Sequence, residues 1–116
     1  KKARGAHFYK ATGYGEKAAF SLRPYPPPAE SPDEAYPFWL TTGRVLEHWH
    51  SGSMTRRIRQ LHQAVPAAYV EVNRADADAQ GLKSGDLVRL VSRRGSLELP
   101  VAVDGRGRPP RGTVFV

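Results

Sequence analysis

The side chains best able to do chemistry are concentrated in one run, Thr42-Gly43-Arg44-Val45-Leu46-Glu47-His48-Trp49-His50-Ser51-Gly52-Ser53-Met54-Thr55-Arg56-Arg57. Two histidines at i and i+2 on an extended segment share a face, as metal ligands sometimes do. A structural zinc site takes about four ligands, and with no cysteine in the chain the rest would come from Glu47, His62 or distant groups. No metal site is therefore expected. The imidazoles and the indole can instead line a surface for a planar aromatic ligand, through ring N–H donors and π faces. Gly43 lets backbone approach a ligand closely. Arg44, Arg56 and Arg57 can clamp phosphate in bidentate fashion, and the run enters a helix N-terminus, which favours anions. Glu47 is the exception in this basic stretch. It can accept from the two adjacent donors of a guanine edge, or form an internal salt bridge to an arginine; both readings stay open. The side chains point to a nucleotide or polyphosphate site.

Other templates fail. Ser, His and carboxylates all occur, but nothing resembles a Gly-x-Ser-x-Gly elbow, and no paired carboxylates suited to acid–base work stand out. No catalytic residue is expected. Gly105-Arg106-Gly107-Arg108-Pro109-Pro110 looks superficially like a phosphate loop, yet a dinucleotide loop must open a helix, and two prolines followed by a strand give none. It reads as a basic surface turn.

The elements that must position the 42–57 run are short. At 116 residues the chain makes one domain, and ten prolines with eleven glycines argue against a helix bundle. Six prolines between Pro24 and Pro37 make residues 1–35 an extended, Pro-rich arm or linker. Its aromatics (Phe8, Tyr9, Tyr14, Phe20 and Tyr25) suggest packing against something, with turns at Gly13-Tyr14-Gly15. From residue 36 to 116 the pattern becomes orderly. Residues 38–42 form a short buried strand candidate, and 54–62 a short helix with Ser53 as N-cap and Met54, Ile58 and Leu61 on one face, stopped by Pro66. Residues 68–72 read as a strand, and Asn73 caps a helix ending at Gly81. Strands at 87–92 and 96–103 flank a hairpin turn at Arg93-Arg94-Gly95, Pro100 marks an edge or bulge, and 113–116 is a last strand. The result is a mainly β domain of about five strands and two short helices, a small barrel or sandwich.

The net charge of +7 implies an anionic partner. The absence of cysteine excludes disulfides, thiolate metal sites and iron–sulfur clusters from this chain. No apolar run approaches the ~20 residues of a membrane span, so membrane insertion is not expected, and Lys1-Lys2-Ala3-Arg4 leads into no signal peptide. The chain stops in mid-strand on Val114-Phe115-Val116, which reads as a fragment of a longer protein, truncated at the C-terminal end of its barrel.

The segment from Tyr36 to Arg57 closely resembles the C-terminal cofactor-binding domain of bacterial molybdopterin oxidoreductases, most nearly that of the periplasmic nitrate reductase catalytic subunits. Val70-Glu71-Val72-Asn73-Arg74-Ala75-Asp76-Ala77 and Gly81-Leu82-Lys83-Ser84-Gly85-Asp86-Leu87-Val88 resemble that family's strand–helix–turn–strand signature. Ser92-Arg93-Arg94-Gly95 and Gly107-Arg108-Pro109-Pro110-Arg111-Gly112-Thr113-Val114-Phe115-Val116 also match. The resemblance covers about residues 36–116 well, and Arg23 to Asp33 more loosely. One departure is Arg74, where the family usually has proline; this should cost little, because proline at the first helical position is only preferred.

The resemblance implies a six-stranded double-psi β-barrel of the aspartate-decarboxylase-like kind. It implies a parent enzyme that reduces nitrate to nitrite with molybdenum held by two molybdopterin guanine dinucleotides, and a 4Fe-4S cluster in the parent only. This chain would bind and orient the cofactor without catalysis of its own. The implied cofactor-binding residues are Thr42, Gly43, Arg44, Val45, Leu46, Glu47, His48, Trp49, His50 and Ser51. Gly43 and Arg44 would serve backbone approach and phosphate; Glu47, His48, Trp49 and His50 would serve the guanine, ribose or pterin. The implied partners are other domains of the parent and a cytochrome electron donor, in the periplasm, with no nucleic acid.

Three rivals are weighed. Molybdenum formate dehydrogenases share much of the run but more often carry Tyr at the aromatic position, so Trp49 with Glu47 favours nitrate reductase. A single-stranded nucleic-acid barrel would place aromatics on its strands, and none lies between Leu87 and Val103. An interaction domain docking a partner through its Pro-rich arm is the third.

Overall fold

The computed structural model describes residues 20–116. The packing expected of Phe8, Tyr9 and Tyr14, and the turns at Gly13-Tyr14-Gly15, lie outside the described residues. From residue 20 to 38 the chain forms no helix or strand. Phe20 and Tyr25 stand 91% and 81% exposed, so neither packs on the described residues of this chain. An extended, proline-fixed backbone gives successive side chains no common face on which to converge.

The strands are β1 (Trp39–Thr41), β2 (Val70–Val72), β3 (Leu87–Ser92), β4 (Gly95–Val103) and β5 (Thr113–Phe115). The helices are α1 (Arg59–Ala64) and α2 (Arg74–Ala79), with a 3-10 turn at Thr55–Arg57 before α1. The strands make one curled mixed sheet, a half-barrel, in the order β1-β5-β2-β4-β3. β1 runs parallel to β5, β2 antiparallel to β5 and parallel to β4, and β3 and β4 form an antiparallel hairpin. A sixth strand of the expected double-psi barrel does not form among the described residues.

Alternation builds the core. Val70 and Val72 point from β2 into a cluster with Ala77, Leu99, Val101 and Val114, on which Phe38, Leu82, Val88, Leu90, Val103 and Val116 pack. Between the two valines, Glu71 must project to the opposite face of the strand. It is nonetheless 1% exposed.

One expectation is corrected by position in the sheet. β1 is not buried: it is an edge strand, with Trp39 and Leu40 about half exposed. Pro100 ends the stretch of β4 whose second side is unpaired, a local edge. β4 pairs with β3 through Pro100 and with β2 from Val101 onward, so the residue without an N–H falls where β4 changes partner. The helix expected over 54–62 is also broken. Ile58 is extended (φ −89°, ψ 111°), which separates the 3-10 turn from α1 and leaves Met54 and Ile58 largely exposed. Ser53 makes no cap; Met54 occupies the cap position with no side-chain bond. Asn73 does cap α2, its side-chain oxygen accepting from the Ala75 N–H at 3.0 Å, and Gly81 follows in the left-handed region at φ +66°.

Candidate functional site

The 42–51 stretch leaves β1 and turns twice. Gly43 is required, but by the protein itself: a Cβ there would lie 2.4 Å from the Phe115 ring of β5. Its N–H donates to the Val116 carbonyl at 3.1 Å, stitching the end of β1 to the end of β5. A side chain of β5 thus approaches this backbone closely.

His48 turns inward, at 5% exposure. Its Nε2 lies 2.7 Å from the Val65 carbonyl and its Nδ1 3.0 Å from Thr55 Oγ1. A carbonyl only accepts, so Nε2 carries the proton and donates, and in the neutral imidazole the Thr55 hydroxyl donates to Nδ1. The same hydroxyl oxygen accepts from the Trp49 N–H at 3.2 Å. His50 swings the other way, exposed with φ +52° and edge-on to Trp49 at 5.0 Å between ring centroids. The two imidazoles therefore share no face, because the segment is a turn and not a strand. Among the described residues no group of three or more His, Asp or Glu could hold a metal ion.

The arginines divide in the same way. Arg56 is consumed by the loop, donating through Nη1 to the Pro66 carbonyl at 2.7 Å and through Nε to the Ser51 carbonyl at 3.4 Å. The expected anion site at a helix N-terminus is corrected as well. The Arg56 and Arg57 N–H groups already donate to the Gly52 and Met54 carbonyls, and the turn is only three residues long. Arg44 and Arg57 form no ion pair among the described residues, but only Arg44 lines the hollows, its guanidinium 5.2 Å over the Trp49 ring.

Glu47 faces the 104–112 loop. Its Oε1 accepts from Arg106 Nη1 at 2.7 Å, so the salt-bridge reading is realised, while its buried Oε2 has no partner among the described residues. The Arg106 hydrogen bond holds the Glu47 carboxyl below its ordinary range, with backbone and charge helping, and the reciprocal contact raises Arg106.

Behind this pair stands Glu71. Its Oε2 accepts from the Gly107 N–H at 2.6 Å, and a Cβ at Gly105 or Gly107 would lie 2.5 or 2.7 Å from its carboxyl atoms. The Gly-Arg-Gly turn is thus the lid of a buried carboxylate, which the reading as a surface turn missed. Burial first, and the Glu71 charge next, push the Tyr69 phenol up. Asn73 Nδ2 donates to the Pro109 carbonyl at 3.2 Å, Asp76 Oδ2 accepts from the Gly112 N–H at 2.7 Å, and Asp104 Oδ1 accepts from the Arg74 N–H at 2.9 Å. One segment, β2 with the start of α2, pins the whole loop.

Two adjoining hollows result. The wider, about 570 Å³, is walled by six consecutive residues from Arg44 to Trp49, closed by Thr55 and Leu61. The narrower, about 260 Å³, shares Arg44, Val45 and Leu46 and adds Tyr69, Glu71, Arg106, Gly107 and Phe115. Of the sequence candidates, Arg44 through Trp49 come together here; Thr42, Gly43, His50 and Ser51 line neither hollow. Tyr69, Glu71 and Arg106 were missed. Their signal was a charged residue inside an apolar strand, Val70-Glu71-Val72, and glycines spaced to make room for it.

The two hollows offer an exposed indole face, a guanidinium free of ion pairs among the described residues, and an acceptor oxygen with no partner there. That set suits an anionic ligand with a flat, donor-bearing ring. Comparison with known proteins agrees. A family model described as "Molydopterin dinucleotide binding domain" matches residues 38–116. Among solved structures, acetylene hydratase from Pelobacter acetylenicus superposes with a TM-score of 0.68 at 24% identity, over 92% of this chain and 14% of that one. That likeness speaks to the fold alone, and the chain spans a small part of the enzyme it matches.

Proposed function

The chain belongs to the molybdopterin dinucleotide-binding domain family, and from that premise we propose that it holds the dinucleotide in the hollows between residues 44–49 and 105–107. The observation that carries this is the wall itself: Arg44 through Trp49 line one concavity as an unbroken run, with Thr55 and Leu61 closing it. Arg44 would meet the diphosphate, since a guanidinium pairs two N–H donors with phosphate oxygens. The Trp49 face, 59% exposed, would stack a ring of the ligand. Glu71 and the glycines over it keep Arg106 at the rim, and His48 fixes the turn from inside.

When bound, the cofactor supplies the redox chemistry, and this chain supplies binding and orientation. For the parent enzyme we favour a nitrate reductase. The support is the Glu47-His48-Trp49-His50 sequence, set against the tyrosine more usual in formate dehydrogenases. A periplasmic location, a 4Fe-4S cluster elsewhere in the parent and a cytochrome donor belong to the same reading. Sequencing the parent gene upstream, through the position that ligates molybdenum, separates the two oxidoreductases.

The binding site is tested by titrating the chain with guanosine diphosphate while following backbone amide shifts. Shifts are expected at residues 44–49 and 105–107, and Arg44→Ala is expected to weaken binding about tenfold. Shifts confined to the exposed face of β3 and β4 would refute the assignment.

A further inference from the structure

Resting on the dinucleotide reading, we propose that the turn from Asp104 to Arg108 is a rigid mount for Arg106, which joins Arg44 as a second cation on the ligand's diphosphate. Glu71, buried beneath the turn, is a positioning residue that acts on the ligand through Arg106.

The backbone of the turn carries the argument. Asp104 and Arg108 hold φ +49° and +43°, the left-handed region that strains residues with a side chain. Such strain persists only where the surroundings over-determine it, and it gathers at functional sites. Here the surroundings do so. The Asp104 N–H donates to the Val72 carbonyl at 2.9 Å, and Asp104 Oδ1 accepts from the Arg74 N–H at 2.9 Å. The Arg108 N–H closes the turn on the Gly105 carbonyl at 3.2 Å, and Asn73 Nδ2 holds the next carbonyl, that of Pro109, at 3.2 Å. From below, Glu71 Oε2 takes the Gly107 N–H at 2.6 Å, and the Glu71 carboxyl fills the space that side chains at 105 and 107 would need. Of residues 105–107 only the middle one has room for a side chain, and that one is Arg106.

Location and charge agree. Arg106 and Arg44 line the same hollow of about 260 Å³, one from each loop. The Arg106 side chain is 70% exposed and spends Nη1 on Glu47 at 2.7 Å. A guanidinium carries five N–H donors in a fixed fork, so the others can take phosphate oxygens while that contact stands. Glu47 and Glu71 are the carboxylates beside it. Glu47 Oε1 is matched by Arg106 and Glu71 Oε2 by the Gly107 N–H. The Gly107 and Arg108 N–H groups are both spent inside the protein, so what the turn offers an anion is the guanidinium. Two guanidiniums lining one hollow suit a diphosphate, whose two groups each present oxygens for a bidentate pair.

The 116-residue chain is titrated with guanosine diphosphate, and amide shifts report binding. Arg106→Ala is expected to weaken it about tenfold, as loss of hydrogen bonds to a charged group implies. Arg106→Lys should keep part of the affinity, because the charge remains. The Arg106→Ala comparison is repeated in Glu47→Gln, where no unpaired carboxylate is left beside the phosphates, and the loss is expected to persist. Glu71→Ala frees the turn and is expected to weaken binding severalfold in the native chain but not in Arg106→Ala, since Glu71 acts through Arg106. Gly107→Ala, which drives a methyl at the Glu71 carboxyl, is a second way to displace the turn and should behave alike. Unchanged affinity in Arg106→Ala, or a loss that vanishes in Glu47→Gln, would overturn the phosphate contact and leave the dinucleotide reading standing. Equal losses for Glu71→Ala with and without Arg106 would overturn the positioning role. No binding of guanosine diphosphate by the native chain would overturn both this proposal and the reading it rests on.

Discussion

At the scale of single residues, Glu71 carries the most consequence. Its carboxylate is buried, its acceptor meets the Gly107 N–H, and Gly105 and Gly107 lack side chains because it lies where they would be. Glu71→Ala strands a donor inside the protein and is expected to destabilise it by about 1–3 kcal/mol in denaturant unfolding. Glu71→Gln, which keeps an acceptor, should cost distinctly less. Gly43→Ala drives a methyl into the Phe115 ring and is expected to cost about 1–3 kcal/mol by the same measurement. Because Phe115 crowds Gly43, an accompanying Phe115→Leu should recover part of that loss. Glu47 gives a pH dependence. A carboxyl held below its ordinary value of 4.5 stabilises fully above that value and loses its contribution as pH falls through the lowered one. The Glu47–Arg106 contact should therefore be intact at neutral pH and open in acid, read from the Arg106 side-chain N–H resonance.

At the scale of elements, the β2–α2 segment explains an oddity of the sequence. Arg74 stands where the resemblance implies proline, a change expected to cost little. The structure shows a gain: the Arg74 N–H donates to Asp104 Oδ1 at 2.9 Å and its Nε lies 3.3 Å from Oδ2, while Asp104 itself holds φ +49°. Proline has no such N–H. Arg74→Pro is thus expected to destabilise by about 1 kcal/mol, in spite of its preference for the first helical turn. The elements whose signals are local were legible in the sequence: Asn73 at a cap, Gly81 after a helix, Arg93-Arg94 between two alternating strands. Those decided by distant partners were not. The exposure of β1 depends on its place at a sheet edge, and the tolerance of Pro100 on a change of strand partner. The site divides likewise. Arg44 through Trp49 could be read because they are contiguous, while Tyr69, Glu71 and Arg106 meet them only through the sheet.

At the scale of the whole molecule, much of the positive charge is already spoken for. Arg93 pairs with Glu30 and Asp33 and lies over the Tyr36 ring, and Arg94 pairs with Glu30 at 2.6 Å, so the segment before β1 is strapped to the β3–β4 turn. Asp33 is held below its ordinary value of 3.8, chiefly by the Tyr36 N–H and then by Arg93. Its contribution is likewise full above that value and lost as pH falls. The strap should release in acid, and weaken in salt because the pairs are exposed, before the core unfolds. Arg93 side-chain shifts followed alongside core methyl shifts check this; simultaneous loss would refute it. Arg44 is left facing the hollows with no ion pair among the described residues, which gives the overall +7 a local meaning as a site for a dinucleotide diphosphate. The most direct measurement of that claim is a crystal structure of the cofactor-loaded protein that carries this chain. The expected result is a diphosphate within hydrogen-bond reach of Arg44, with a ligand ring against Trp49. A dinucleotide seated elsewhere, with Arg44 through Trp49 touching only protein, would contradict it.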